Sequence, residues 1–325
     1  MKTIQPKNFL LLLAISLSFC STESFCQSGS IFPKWHEGDT KTATSTAQTI
    51  ILMGGDTLTS VDAESDWTLE VIDKSIGTYE LEIQSKSASI GDINFSGITE
   101  NDELAPVAIF IKGMVDVVSK SLEGLEVVYI IDKDGEAVEI KNYDEVFKSF
   151  KDATIQNLRH FEKKVQELTG DTASMPFNEE QLYSQLDAKK PEVKLQLLNG
   201  VNYLNQAYYG VEYNPDKELH EKATFRSYDV LNFEDVEVKG AVVTEVLENT
   251  ANNFEVLMTF EIDKEDLISK FKERGLVEDD GPISFTEELR ISFDPKTFWV
   301  KEYQEFLSIE TSEFKFIQSS STVIE

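Results

Sequence analysis

Asp132-Lys133-Asp134-Gly135 has the carboxylate spacing of a loop that wraps a calcium ion. With Gly135 in the glycine position, Ile130 and Lys141 fall where such a loop needs oxygen ligands at its first and last places, so an EF-hand is excluded. Asp and Gly between two apolar runs make a hairpin turn instead. Glu278-Asp279-Asp280-Gly281 reads in the same way, as a solvated connection that could at most attract a cation. The three histidines, His36, His160 and His220, show no metal-ligand spacing such as H-E-x-x-H. No G-x-S-x-G elbow and no glycine-rich phosphate loop is present. A Ser-His-carboxylate triad assembled only by folding leaves no mark on spacing. Neighbouring carboxylates such as Glu287-Glu288 carry little information among 59 acidic residues. The residues therefore favour a non-enzymatic protein with no metal and no cofactor, and a hydrolase with a dispersed active site ranks last.

Two aromatic groups are better candidates, for binding rather than catalysis. From Asn199 to Asn214 the chain places Tyr203, Tyr208, Tyr209 and Tyr213 among Asn199, Asn202, Asn205, Gln206 and Asn214. Flat rings beside amide donors and acceptors suit a sugar or a peptide. The competing reading is a helix whose tyrosines pack on a sheet. Upstream, Phe147, Phe150 and Phe161 recur on one face of a predicted helix over 143–168. Both groups would line an apolar cleft if the helices lie across a curved sheet.

The elements that must position these residues read as α+β: antiparallel sheets in two pseudo-duplicated halves with a helical insert between them. Tyr79–Gln84 alternates apolar and polar residues, as a half-buried strand does. Thr49–Met53, Leu125–Ile131, Ala137–Ile140, Ser284–Phe293, Phe298–Ile309 and Phe314–Ile324 also read as strands, as do 222–231, 235–248 and 252–262. Pro106 opens a helix that ends at Leu122 before Gly124, and Asp263 caps another over Lys264–Arg274. Asn178 caps a short helix, and Pro191 starts a separate one. The helix over 143–168 has Asp144 and Glu145 in its first turn and Lys163 and Lys164 near its end, matching the helix dipole. The expected division is a signal peptide over 1–26, a polar arm over 27–46, a β-rich half over 47–141, the helical insert over 142–208 and a second β-rich half over 209–325. Within the arm, Trp35 is expected to pack back on the domain.

Lys2 and Lys7 precede the apolar run Phe9–Phe19, the pattern of a secretory signal. Cleavage after Cys26 is the favoured reading, and lipidation of Cys20, which follows the bulky Phe19, is the minority one. Only these two cysteines exist, so cleavage would leave an exported chain without thiol chemistry or disulfides, in the periplasm, on the cell surface or secreted. No transmembrane segment is expected after cleavage. The net charge of −29 argues against nucleic acid and anionic membrane surfaces and leaves cationic or envelope partners open. In outline, an antiparallel sheet wrapped around helices behind a signal peptide resembles periplasmic carriers of lipids or lipoproteins, a likeness of architecture alone. The expected function is that of an exported, non-enzymatic envelope protein binding an apolar or small ligand between sheet and helices. The alternative is a structural or interaction protein without a small ligand, which a free sheet edge at 314–324 would favour.

Overall fold

The computed structural model describes residues 31–53, 56–91, 113, 116–169, 179–206, 209–210, 213–214, 218–228, 235–273, 284–310 and 314–325. The first strands are β1 (Thr40–Met53), β2 (Asp56–Ser75), β3 (Thr78–Ile90), β4 (Glu126–Asp132) and β5 (Ala137–Ile140). Helices α1 (Tyr143–Thr169) and α2 (Glu179–Gln206) follow. Then come β6 (Leu219–Tyr228), β7 (Asp235–Asn249), β8 (Phe254–Ile262), α3 (Lys264–Glu273), β9 (Ser284–Phe293), β10 (Val300–Glu310) and β11 (Phe314–Ile324).

All eleven strands form one antiparallel sheet in the order β5-β4-β3-β2-β1-β11-β10-β9-β8-β7-β6. Adjacent strands are consecutive in sequence except at the centre, where β1 pairs with β11 from Ala43↔Ile324 to Met53↔Phe314, and the consecutive β5 and β6 stand at opposite ends. The α+β, antiparallel expectation holds. A free edge at 314–324, which would have favoured the structural alternative, is absent: β11 is bonded to β1 on one side and to β10 on the other. The sheet ends instead at β5 and β6. Four-residue β5 is covered by α2, whose Asn202 amide donates to the Ala137 carbonyl (3.0 Å) and accepts from the Ala137 N–H (2.6 Å). Capping an edge backbone with a side-chain amide blocks further strand addition there.

Several local expectations change in the tertiary context. Residues 40–46, polar enough to read as part of a loose arm, are the first half of the central strand β1. Their Ser/Thr-rich composition suits a strand whose exposed side is wet. Pro191 starts no helix; it lies inside the continuous α2. Val193, Leu197, Leu198 and Val201 pack on the core beyond it, and that burial outweighs the roughly 3 kcal/mol that an internal proline costs. Helix α1 ends where expected, at Thr169, but its last turn holds no basic residue, so Lys163 and Lys164 lie too far back to complement its dipole.

Other local signals act as expected. Asp263 Oδ1 accepts the N–H groups of Glu265 (3.0 Å) and Asp266 (3.1 Å), capping α3. Residues 116–122 are helical and stop at Gly124, whose φ is +76°. The hairpin turn between β4 and β5 is held by Asp132 Oδ1, which accepts from the N–H groups of Asp134 and Glu136 at 2.9 Å each. Gly135 in that turn has φ +88°, and a Cβ there would lie 2.5–2.8 Å from Tyr209. Gly135→Ala is therefore expected to cost about 2 kcal/mol, combining left-handed strain with displacement of a buried ring, and urea denaturation would read it.

The strands alternate as the pleat requires. In β9, residues 287, 289, 291 and 293 are buried while 284, 286, 288 and 290 are exposed. One hydrophobic cluster runs across the inner face, from Val71, Leu81, Tyr129 and Ile131 to Val256, Ile291 and Phe293. Trp35 closes it. The indole stacks on Trp299 (centroids 4.4 Å, 17°) and meets Tyr79 and Tyr209. Trp35 thus packs back on the domain as expected.

Candidate binding surfaces on the two faces of the sheet

The inner face carries a cross-strand apolar row at one end. Ile51 of β1 pairs with Phe316 of β11, Phe316 with Ile309 of β10, and Ile309 with Phe285 of β9. Directly paired residues share a face, so these four side chains stand side by side. None is fully buried. Phe285 continues toward α3, where Leu267, Ile268, Val238 and Ile262 pack with it. Large apolar side chains left half-covered along a row are what an apolar ligand can complete.

Beside this row the same face turns polar. Ser320 Oγ donates to Glu305 Oε2 at 3.2 Å, and the Tyr303 hydroxyl donates to the same oxygen at 3.4 Å. Ser45 and Thr322 hydrogen-bond across β1 and β11. Glu287 lies opposite Leu307, between Phe285 and Leu289 on its own strand, and is only 5% exposed. Burial, reinforced by the nearby Glu305 carboxylate, pushes the Glu287 carboxyl up to about 8. Glu287 is thus a protonated acid at neutral pH.

Among the described residues, those singled out in the sequence do not converge on one cleft. Phe147 is buried in the core against Tyr143 (centroids 5.9 Å). Phe150 is half-buried. The Phe161 ring fills the space that a Cβ on Gly113 would need. Tyr209 is buried and donates its hydroxyl to the Phe298 carbonyl at 2.7 Å. Tyr213 is buried edge-on to Phe254 (5.5 Å). The Tyr203 side chain and Tyr208 lie outside the described residues, as does the acidic loop 278–281. Phe147, Phe161, Tyr209 and Tyr213 are thus packing residues, as aromatics at helical spacing commonly are. Asp132 spends its carboxylate on turn N–H groups. Among the described residues no three His, Cys, Asp or Glu side chains gather as metal ligands. His36 and His220 each face one carboxylate, Asp39 (3.7 Å) and Glu218 (3.5 Å), at exposed positions.

A second surface lies on the opposite, exposed face. There the sheet forms an open groove of about 790 Å³ running from β3 to β7. Its floor is hydroxyl and amide: Thr46, Gln48, Ser319, Ser321 and Gln304. Asp62 and Glu64 of β2 stand toward one end, with Gln48 Nε2 donating to Asp62 Oδ1 at 2.8 Å. Toward the other end lie Phe306, Leu257 and Leu247 together with Glu288 and Arg290, and Arg290 is paired with Glu255. Sequence reading missed this groove because its residues come from strands up to 275 positions apart (Thr46 and Ser321), joined only by the β1–β11 register.

No protein-family model matches this chain, and no curated protein does. A solved structure concerned with lipid–protein interactions in lipovitellin is similar to it, with a TM-score of 0.40 and 11% identity over 89% of this chain. The chain spans about a quarter of that protein's length (25%). What lipovitellin binds is a property of lipovitellin. Among the described residues no helix is long and apolar enough to cross a membrane.

Proposed function

We propose that this is an exported, non-enzymatic envelope protein that holds an apolar ligand between the inner face of its sheet and its helices. The observation that carries the reading is the row Ile51–Phe316–Ile309–Phe285, four large apolar side chains aligned across β1, β11, β10 and β9 and none of them fully buried. The site thus differs from the expected one: it lies on strand residues near α3, not on Phe147, Phe161, Tyr209 and Tyr213. Export rests on the Lys2/Lys7 and Phe9–Phe19 leader pattern. The same reading takes the two meanders flanking the β1–β11 seam as duplicated halves, with α1 and α2 inserted between them, and the mirrored strand order supports it.

The test is native mass spectrometry of the protein purified from its own envelope, beside a Phe316→Ser/Ile309→Ser variant. A retained apolar molecule in the wild type, depleted about a hundredfold or more in the variant, is the expected result, since two large side chains contribute roughly 1.5–3 kcal/mol each to an apolar contact and about 1.4 kcal/mol is tenfold in affinity. A protein that emerges ligand-free, or a variant that retains the molecule equally, would overturn the reading.

A further inference from the structure

We infer that the groove on the exposed face is a docking surface for a cationic, amphipathic polypeptide segment of another protein. It is separate from the inner-face row, since its outward residues alternate with the inward ones along every strand that lines it.

Three features specify this partner. The first is charge. Asp62, Glu64 and Glu288 line the groove, while its one guanidinium, Arg290, is already engaged by Glu255. Among the described residues neither Glu64 nor Glu288 has a partner of its own. On a chain of net charge −29 this surface repels anions and concentrates cations. The second is apolar exposure. Phe306 is 39% exposed and Leu247 42%, two of the few large hydrophobic side chains left open among the described residues, and both stand toward the end of the groove away from Asp62 and Glu64. A ligand that spans the groove must be basic toward its β2 end and apolar toward its β10–β7 end, with a cationic group for Glu288 beside Phe306. The third is shape. From β3 to β7 the groove crosses seven inter-strand steps, roughly 34 Å, the span of about ten extended residues. That length fits a polypeptide segment better than a compact small molecule. The hydroxyl and amide floor between the two ends offers donors and acceptors to its backbone.

The test uses the full chain and defined decapeptides read by fluorescence anisotropy. One peptide is Lys-rich in one half and Leu-rich in the other, and its control carries Glu in place of every Lys. A neutral oligosaccharide of similar length is the third probe. The Lys/Leu peptide is expected to bind, more weakly as salt rises from 0.05 to 0.5 M (about a threefold shorter Debye length), and the other two are not. Glu64→Lys/Glu288→Lys and, separately, Phe306→Ser should each weaken it about tenfold. Glu139→Lys, an exposed charge reversal on distant β5, should leave it unchanged. All these positions are solvent-facing, and an unshifted thermal midpoint checks that the variants fold. Equal weakening by Glu139→Lys would mean diffuse attraction to an acidic protein and would overturn the proposal. Preference for the Glu/Leu peptide or the oligosaccharide would also overturn it. Retention of an apolar molecule by the same variants, read by native mass spectrometry, reports on the inner face separately.

Discussion

Raising the pH from 5 to 9 should cost the folded protein about 4 kcal/mol through Glu287 alone, and Glu287→Gln should remove that loss. The folded-state value of about 8 lies above the ordinary glutamate value of 4.5. Below pH 4.5 both folded and unfolded chains hold the proton, so stability is fully present. Between 4.5 and 8 the unfolded chain releases a proton that the folded one keeps, and stability falls by up to ~1.4 kcal/mol per pH unit. Above 8 both are ionised and the loss is complete. The cause is local. Glu287 sits opposite Leu307 and between Phe285 and Leu289, and the charged group that acts on it is another carboxylate, Glu305. Ionisation therefore sets a charge in an apolar site beside a like charge. Asp66, Asp144 and Glu248 are depressed by hydrogen bonds from Ser87, Lys190 and Asn253 respectively, so their linkage falls below this window. Urea denaturation of the wild type and Glu287→Gln at both pH values isolates the term. An equal pH slope in the two proteins would show that Glu287 does not ionise in this way.

Trp35→Ala should cost about 4 kcal/mol, among the largest effects of any single truncation in this chain. The indole is 2% exposed and touches Trp299, Tyr79 and Tyr209, which belong to β3 and to the segments flanking β6 and β10. The segment around it is tied in as well: the Tyr79 hydroxyl donates to the Pro33 carbonyl (2.8 Å), Lys34 N–H to the Thr297 carbonyl (3.0 Å) and Gly210 N–H to the Ile31 carbonyl (3.0 Å). Phe298, next to Trp299, is the one non-glycine described residue with positive φ (53°), a strained backbone held by this packing. The buried indole N–H has no acceptor, so the ring holds by packing alone. Trp35→Phe should consequently cost far less than Trp35→Ala, since it loses some area but also removes an unpaired buried donor. Thermal midpoints separate the two cases: a drop of about 10 °C for the alanine variant and a few degrees for phenylalanine. Equal drops would mean that a phenyl ring cannot fill the space that the indole occupies.

Much of the local structure was legible in the residues. The strands Ser284–Phe293 and Phe314–Ile324, the Asp132–Gly135 turn and the Asp263 cap follow from alternation, turn chemistry and capping, which act over a few residues. Glu287 was legible too. In Ser284–Phe293 it shares the parity of Phe285, Leu289, Ile291 and Phe293, so the pleat had to turn it inward. It was overlooked because carboxylates were weighed by number rather than by position in the alternation.

Partnership across the chain was not legible in this way. Backbone hydrogen bonding is the same for every residue type, so composition does not state that β1 and β11 pair, and a Ser/Thr-rich stretch reads as an arm until its partner strand is known. The proline in α2 and the aromatics around Tyr209 had their roles set by what packs against them, because burial of a whole face outweighs a single local preference. By itself, then, the sequence determined the alternation, the turns, the caps, the acidity and the leader pattern, all of which depend on neighbours along the chain. The tertiary structure alone decided the central β1–β11 seam, the packing of the candidate aromatics and the two candidate surfaces, because each arises from residues brought together by long-range pairing.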